Sequence, residues 1–492
     1  MIGRNKKVMY PQLNVFTKSG KYGLERASSG WGYVISLRKA LPLSTFFKIA
    51  VLSAIISLAG IPFYPPGCDI AAVGIFSGVF ALALACQSGG VFLAIPWFSV
   101  VLFVIQNLVG HIYLYWYPWA DPLWPISLKY SDVIVTASLA SLSFFAGIML
   151  PTFKGLSPIA NVRFPINAKL VRSAHWMLLF GYILAAMENR LFVVGGPIQF
   201  FVHLLAMLRL VGAGVLITSS RNVFKWLVFM VIAEFFMVAS IAIVHDFVLI
   251  IGSLICLLGL ARHWKWQRLA IVFLFGVITT HYIQQAKIEY RGYAWFGKGE
   301  YKSLSSILLD NVFDPIDILS KDSLDITVSR INQSKITEAI FNRVPQEEPF
   351  ALGKTIWDAL YASLIPRFLF PSKAMGADKK RFFQYTGHFL QEGVSMNLGI
   401  LGEGYANFGK YGAICVLFMY GFIFGLGYRF VIERARSHPI FWVWFPYVFY
   451  WWPKTEGGIA ATLNYSVKAV IMFLAMVLIS KVWQQALGLK IR

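Results

Sequence analysis

Charged residues are scarce in this chain: Asp, Glu, Lys and Arg together make up 14% of its 492 residues. A soluble domain typically carries about 25% charged residues. Hydrophobic residues account for 58% of the sequence, and the mean hydropathy is +0.64. Because a soluble fold of this composition would leave long apolar runs in water, the sequence predicts an all-α, polytopic membrane protein.

Cysteine is also rare, and the patterns that would bind a metal or a nucleotide are missing. The four cysteines lie far apart and form no CxxC pair, so neither a zinc site nor a disulfide framework is predicted. There is no HExxH motif, and no P-loop, nucleophile elbow or Rossmann fingerprint in a suitable context. Asp310, Asp314 and Asp317 are better explained by helix capping at Asp314-Pro315 than by metal binding. We therefore expect no metal and no cofactor.

Acidic residues are few, with 23 Asp and Glu against 44 Lys and Arg. The excess positive charge lies mostly in short segments between apolar runs, which indicates membrane topology rather than nucleic-acid binding. The segment before the first apolar run holds eight Lys and Arg against Glu25 alone. Alternate short loops are basic and the others almost bare, so both termini are predicted to lie in the cytoplasm.

About twelve apolar runs are candidates for transmembrane helices. The predicted spans are 44–61, 69–86, 91–110, 132–150, 173–193, 198–218, 223–244, 246–262, 267–285, 411–432, 440–453 and 464–483, of which the eleventh is short and interfacial. They divide the chain into a basic cytoplasmic segment (1–43), helices one to nine (44–285), a large extracytoplasmic loop (286–394), and a glycine-rich motif with helices ten to twelve (395–492).

The large loop is nearly neutral, with 14 Lys and Arg against 13 Asp and Glu, and its apolar spacing predicts helices. We expect one helix from Asp314-Pro315, a second from near Asp325, and a third over 354–365. On the second helix, Arg330, Gln333, Ser334 and Thr337 would share one face. That face suits a phosphate or a sugar, or is simply solvated.

Two further motifs combine polar residues with proline or glycine. In LIPRFLFPSKAMG (364–376), Arg367 and Lys373 either meet a lipid diphosphate at the headgroup level or belong to an interfacial loop. In NLGILGEGYANFGKYG (397–412), Glu403 is a candidate general base. The alternative is a re-entrant turn whose glycines only permit tight packing.

Ionisable residues also occur within the predicted spans. Arg209 and Glu234 lie at similar depth on helices six and seven, so we predict an ion pair between them. His203, His245 with Asp246, and His281 lie near predicted outer helix ends, where a packing role is the simpler interpretation. Gly421 and Gly425 have the spacing of a helix-packing motif.

Three motifs together resemble a known family. GEGYANFGKYG before an apolar helix resembles the C-terminal signature of Wzy-type O-antigen and repeat-unit polysaccharide polymerases. IPRFLFPSK resembles that family's Pro-framed basic motif, and SRINQS its arginine-containing loop segment. The resemblance spans 325–430, and the helix layout fits it. His245-Asp246 departs from the family, which often has an arginine just outside the equivalent of helix eight.

The resemblance implies a GT-C-like protein of the bacterial inner membrane with a large helical periplasmic loop. It implies a metal-independent glycosyltransferase that transfers a growing glycan from one undecaprenyl diphosphate onto the oligosaccharide repeat unit carried by another. Membrane lipids, a flippase and a chain-length regulator are the other expected partners, and nucleic acid is not expected. The candidate substrate-binding residues are Arg330, Gln333, Arg367, Lys373, Arg381, Tyr405 and Asn407. Glu403 is the first candidate for the base and His388 the second.

Three other functions are compatible with the sequence. An O-antigen ligase or another lipid-linked-sugar transferase would differ only in its acceptor. A lipid-linked oligosaccharide flippase or transporter would more often show internal repeats and midplane charges, and no repeat is visible here. A structural scaffold for an export complex would need neither Arg367 nor Glu403.

Overall fold

The structure, a computed structural model, describes residues 32–35, 43–87, 94–121, 127, 129–153, 162–165, 168–191, 196–219, 223–241, 244–262, 266–296, 306–307, 320–365, 379–390, 396–435, 438 and 440–486. Its helices are α1 (Leu43–Ala59), α2 (Ala71–Gln87), α3 (Ile95–Trp116), α4 (Tyr130–Phe153), α5 (Ala168–Leu191), α6 (Gly196–Ala206), α7 (Leu208–Ser219), α8 (Val223–Ile241), α9 (Val244–Arg262), α10 (Trp266–Phe296), α11 (Lys321–Ile331), α12 (Ser334–Arg343), α13 (Lys354–Leu364), α14 (Lys379–Thr386), α15 (Gly399–Ala435), α16 (Ile440–Val448) and α17 (Gly458–Ala486). Three short 3₁₀ turns lie at Ile61–Phe63, Pro118–Ala120 and Thr455–Gly457.

The architecture is that of a helical membrane protein, as predicted. Among the described residues, six stretches are long and apolar enough to cross a bilayer: Ile95–Trp116, Tyr130–Thr152, Leu170–Glu188, Gln199–Thr218, Gly399–Ala435 and Thr455–Leu478. Four shorter apolar helices cover Ser44–Ala59, Ala71–Cys86, Asp246–Gly259 and Ala270–Ile283. One feature was not predicted: strands Gly32–Ile35 and Val162–Pro165 pair antiparallel, with Tyr33 opposite Phe164.

The centre of the bundle is the contact between α4 and α15, and glycine makes it possible. A Cβ atom at Gly421 would lie 2.4 Å from the Phe144 carbonyl oxygen, and one at Gly425 would lie 2.7 Å from that of Ile148. Only a residue without a side chain permits backbones to approach so closely. The predicted packing role of these two glycines is confirmed.

The eleventh predicted span is wrong in extent. Helix α16 ends at Val448, and its nine residues reach only about 13 Å, less than half of the hydrocarbon thickness. The chain then continues through turns to Gly457, with Trp452, Lys454 and Thr455 all buried. Irregular backbone is tolerated at membrane depth where protein surrounds it, which explains why the helix need not be longer.

The predicted pair of Arg209 and Glu234 is confirmed. Arg209 Nε donates to Glu234 Oε1 at 2.7 Å, and both side chains are buried. The pair has further partners, because Tyr182 donates its hydroxyl to the same carboxylate and Arg209 donates to the Ala206 carbonyl. Every strong polar group of the pair is therefore bonded inside the bundle.

His203 and His281 have the packing roles that were the simpler interpretation, and the side chain of His245 lies outside the described residues. His203 Nδ1 lies 3.0 Å from Glu188 Oε1, and His281 Nδ1 lies 2.7 Å from the Thr327 hydroxyl on α11. His281 therefore joins α10 to the large loop. Asp246, next to His245, forms an ion pair with Lys454.

The loop helices correct one prediction. Helix α11 begins at Lys321, where Ser320 caps it, rather than near Asp325, and it ends at Ile331. Asn332 adopts an extended conformation, and its side-chain oxygen accepts a hydrogen bond from the Ser334 backbone N–H at 3.0 Å, which starts α12. Arg330, Gln333, Ser334 and Thr337 therefore do not share one helical face. Helix α13 over 354–364 agrees with the prediction, and Asp310, Asp314 and Asp317 lie outside the described residues.

Candidate functional site

The GEGYANFGKYG motif forms a helical hairpin at the start of α15. Gly409 breaks the helix with φ 70° and ψ −164°, a conformation that is essentially restricted to glycine. A Cβ atom at Gly404 would lie 2.9 Å from Ala413 Cα, although nine residues of straight helix would separate them by about 13 Å. Residues 399–408 therefore fold back against the long helix. The helix predicted as the tenth span therefore begins at residue 410, and residues 399–408 form a re-entrant segment before it.

Asn407 holds this hairpin to the loop. Its amide donates to the Thr355 hydroxyl at 2.6 Å and to the Glu403 carbonyl at 2.7 Å. Its oxygen accepts from the Gly353 backbone N–H at 3.0 Å. The side chain is fully buried, so Asn407 positions the turn before α13 rather than lining an open surface.

Glu403 lies at the N-terminus of α17. The Ile459 backbone N–H donates to Glu403 Oε2 at 3.0 Å, and Gly458, with φ 76°, allows the backbone to approach the carboxylate. The first N–H groups of a helix have no partner within it, and its dipole favours a negative charge there. One oxygen of the carboxylate is thereby anchored.

The other oxygen is not anchored in this way. Within the described part of the chain, Glu403 Oε1 accepts no hydrogen bond of normal geometry, although the residue is 4% exposed. Arg381 Nη1 lies 3.9 Å away, and Arg381 Nη2 lies 3.5 Å from Asp358 Oδ2 on α13. The guanidinium thus lies between the carboxylates of Asp358 and Glu403, and its distance to Glu403 is too long for a hydrogen bond.

A small pocket opens beside this oxygen. Arg381, Glu403 and Asn397 supply its polar groups, and the apolar lining includes Phe382 and Met396. Its volume is about 20 Å³, which is enough for one water molecule or one hydroxyl group. The arrangement suits proton transfer to or from a single small group.

The sequence model of a domain of unknown function, DUF8712, matches residues 133–428. This range is more than half of the chain. The chain belongs to the DUF8712 family. Neither the curated proteins nor the solved structures contain a match to it.

The DUF8712 match covers both Glu403 and Arg381 but not the helix terminus that anchors the carboxylate. Tyr405, also in the match, stacks on Phe341 with ring centroids 3.6 Å apart, and its hydroxyl donates to the Val344 carbonyl. Its ring therefore fastens the hairpin to α12. Tyr405 and Asn407 therefore stabilise the hairpin around the site and do not line the pocket.

Three further candidates in the DUF8712 match are Arg330, Gln333 and His388. Arg330 is half-buried on α11, where burial lowers its pKa and Asp121 opposes that change. The Gln333 backbone N–H donates to the Gln106 carbonyl at 2.8 Å. His388 follows α14 at the surface, and partial burial lowers its pKa, which favours the neutral ring at pH 7. None of the three lines the pocket.

Arg367 and Lys373 lie outside the described residues, so their predicted roles stay predictions. Of the nine candidates, the structure brings together Glu403 and Arg381. Among the described residues, no three His, Cys, Asp or Glu side chains are grouped so that they could hold a metal ion.

The sequence did not predict how the large loop is bonded to α3. Residues Ile105–Val109 form a π-helical turn within α3, which leaves backbone carbonyls without their usual partners. The Gln106 carbonyl accepts from Gln333, and the Asn107 carbonyl accepts from the Ser334 hydroxyl. The large loop is therefore bonded directly to the third helix. No sequence signal marks a π turn inside an apolar run.

Proposed function

We propose that this protein is a membrane glycosyltransferase that polymerises lipid-diphosphate-linked oligosaccharide repeat units. The observation that supports it most is the Glu403 carboxylate, which has one oxygen held by the α17 N-terminus and the other facing Arg381 and a hydroxyl-sized pocket. The motif resemblance over 325–430 supports the same assignment. An exposed surface carboxylate would offer no comparable site.

In the proposed reaction, Glu403 Oε1 takes the proton of an acceptor hydroxyl on one repeat unit. The freed oxygen forms a bond to the anomeric carbon of the other glycan, and the bond from that carbon to the lipid diphosphate breaks. The lipid diphosphate leaves with the electron pair. Fixed cations stabilise the developing charge, for which Arg381, Arg330, Arg367 and Lys373 are the candidates. His388 is the second candidate for the base.

The proposal includes a topology. Twelve crossings, a GT-C-like arrangement and cytoplasmic termini would put 286–394 on the periplasmic side of the inner membrane, in agreement with the basic alternate loops. Gln346 is exposed and suits a test by cysteine substitution. A membrane-impermeant maleimide should label Gln346→Cys in intact spheroplasts. Labelling only after lysis would overturn the catalytic proposal.

The activity is tested by comparing the polysaccharide ladder of a deletion strain with that of the same strain complemented with the chain. In the uncomplemented strain, loss of long chains with a surviving one-repeat band, restored by complementation, supports the polymerase. Loss of every repeat would instead indicate a ligase or a flippase, and an unchanged ladder would refute all three.

A further inference from the structure

The exposed face of α13 is apolar, although the helix belongs to the large loop. Trp357 is 69% exposed, Tyr361 58% and Leu364 69%. Their spacing of four and then three residues puts them within one narrow stripe. Lys354 and Asp358 are exposed along one edge of the stripe. An apolar stripe with a charged edge is the pattern of a helix that lies at an interface.

This stripe joins the lipid-facing surface of a membrane helix. The turn before α13 is bonded to the hairpin, since the Leu352 backbone N–H donates to the Asn407 carbonyl at 3.1 Å. A Cβ atom at Gly353 would lie 3.2 Å from the Phe408 ring, which is itself exposed. Tyr411, three residues further on, is 83% exposed. The apolar surface is thus continuous from α13 to the start of the span at 410–435.

The rest of that span shows which environment the surface faces. Beyond Tyr411 its exposed large side chains are apolar as far as Phe430: Met419, Ile423, Leu426 and Phe430. Exposed charged residues return only at the far end of the span, at Glu433 and Arg434. The ion pair of Lys410 and Asp132 lies at the adjacent ends of α15's long segment and α4, and both side chains are close to half exposed. Charged groups at that level and apolar ones below it mark the boundary between water and lipid.

We propose that α13 is an interfacial helix whose Trp357, Tyr361 and Leu364 side chains insert into the lipid headgroup layer beside this boundary. Aromatic side chains favour that layer because their rings are apolar and their polar atoms remain hydrated. The charged edge of α13 carries Asp358, which contacts Arg381. The helix therefore sets the depth of the Glu403 pocket relative to the bilayer. This inference does not depend on the transferase activity.

The test uses an environment-sensitive fluorophore on single cysteines in the full chain, reconstituted into phosphatidylcholine vesicles. Cys415, which is exposed, is first replaced by serine. Trp357→Cys and Tyr361→Cys are the test positions, and exposed Gln346→Cys in the same loop is the matched control. We expect blue-shifted emission at 357 and 361, with stronger quenching by nitroxide lipids than by aqueous iodide, and the reverse at 346.

Two results would overturn the inference. Iodide quenching at 357 and 361 equal to that at 346 would show that the stripe faces water. Protection from both quenchers would show that protein covers it, for example a segment of this chain. Retained size-exclusion profiles for each variant establish that the labelled proteins are folded.

Discussion

In the described part of the chain, two buried glutamates, Glu234 and Glu403, each face an arginine, and they differ in how fully the carboxylate is bonded. In the pair of Arg209 and Glu234, the contact is 2.7 Å and a tyrosine hydroxyl completes the bonding. In the pair of Arg381 and Glu403, the contact is 3.9 Å and one oxygen faces a pocket. In this closed pair, Arg209 donates to both oxygens of the Glu234 carboxylate. The open pair retains one acceptor oxygen in a place shielded from bulk water.

The physical cause of the difference is the position of each pair. Arg209 and Glu234 come from the buried faces of α7 and α8, where an unbonded charge would be very costly. Arg381 comes from a short loop helix and is shared with Asp358. The N-terminus of α17 supplies the rest of the stabilisation that Glu403 requires. A carboxylate can therefore stay buried without a tight ion pair.

The largest expected effect is on the closed pair. Arg209→Ala should lower stability by about 3–5 kcal/mol, because the Glu234 charge would stay buried without its partner. Thermal unfolding in detergent, in a double-mutant cycle with Glu234→Ala, measures this. The exposed pair of Arg429 and Glu433 is the matched control and should cost only about 0.3–0.5 kcal/mol. Strictly additive losses would contradict the pairing.

The second-largest effect is expected at the open pair of Arg381 and Glu403. Glu403→Gln should lower turnover by about 10²-fold or more while leaving stability close to that of the wild type. The amide oxygen can still accept the Ile459 N–H, but the proton acceptor is lost. Repeat-unit incorporation by membranes measures turnover, and exposed Glu433→Gln is the control. Undiminished turnover would remove Glu403 as the base.

A smaller effect is expected where the hairpin bends. Gly409→Ala should cost about 1–3 kcal/mol, because its backbone conformation is strained for any residue with a side chain. Gly252→Ala is a matched control in α9, where a Cβ atom would meet nothing within 4 Å. Equal melting temperatures for the two variants would contradict the strain expected at Gly409.

The smallest effect is a pH dependence at a third buried carboxylate, Glu338 on α12. It accepts from the Ser127 N–H and hydroxyl at 2.6 Å each, and lies 3.8 Å from His111. Burial raises the pKa of Glu338 above its ordinary 4.5, so the folded state binds the proton more tightly than the unfolded state. Its contribution to stability is therefore full below 4.5 and is lost as pH rises through the raised value.

Melting temperatures between pH 4.5 and 8 test this contribution. The wild type should lose stability relative to Glu338→Gln as the pH rises. Glu347→Gln, whose carboxylate is 64% exposed, should follow the wild-type curve. Parallel curves for wild type and Glu338→Gln would contradict a raised pKa of Glu338 in the folded state.

Much of the helical framework was predictable, because a bilayer imposes length and composition on each helix. Helices occur at each predicted span, and the pairing of Arg209 with Glu234 followed from equal depth alone. The errors occur where protein replaces lipid as the surroundings. Helix α16 stops after nine residues because its continuation is buried in the bundle, and the π turn in α3 is compensated by the large loop.

The sequence by itself determined that this is a helical membrane protein, which segments are apolar, and which polar residues are concentrated between 320 and 412. The tertiary structure decided which of those residues meet. Glu403 and Arg381 are 22 positions apart, and the amide that anchors Glu403 is 56 residues further along the chain. Such contacts depend on the bend at Gly409 and on helix packing, because the free energy of a buried charge is set by all its neighbours in space.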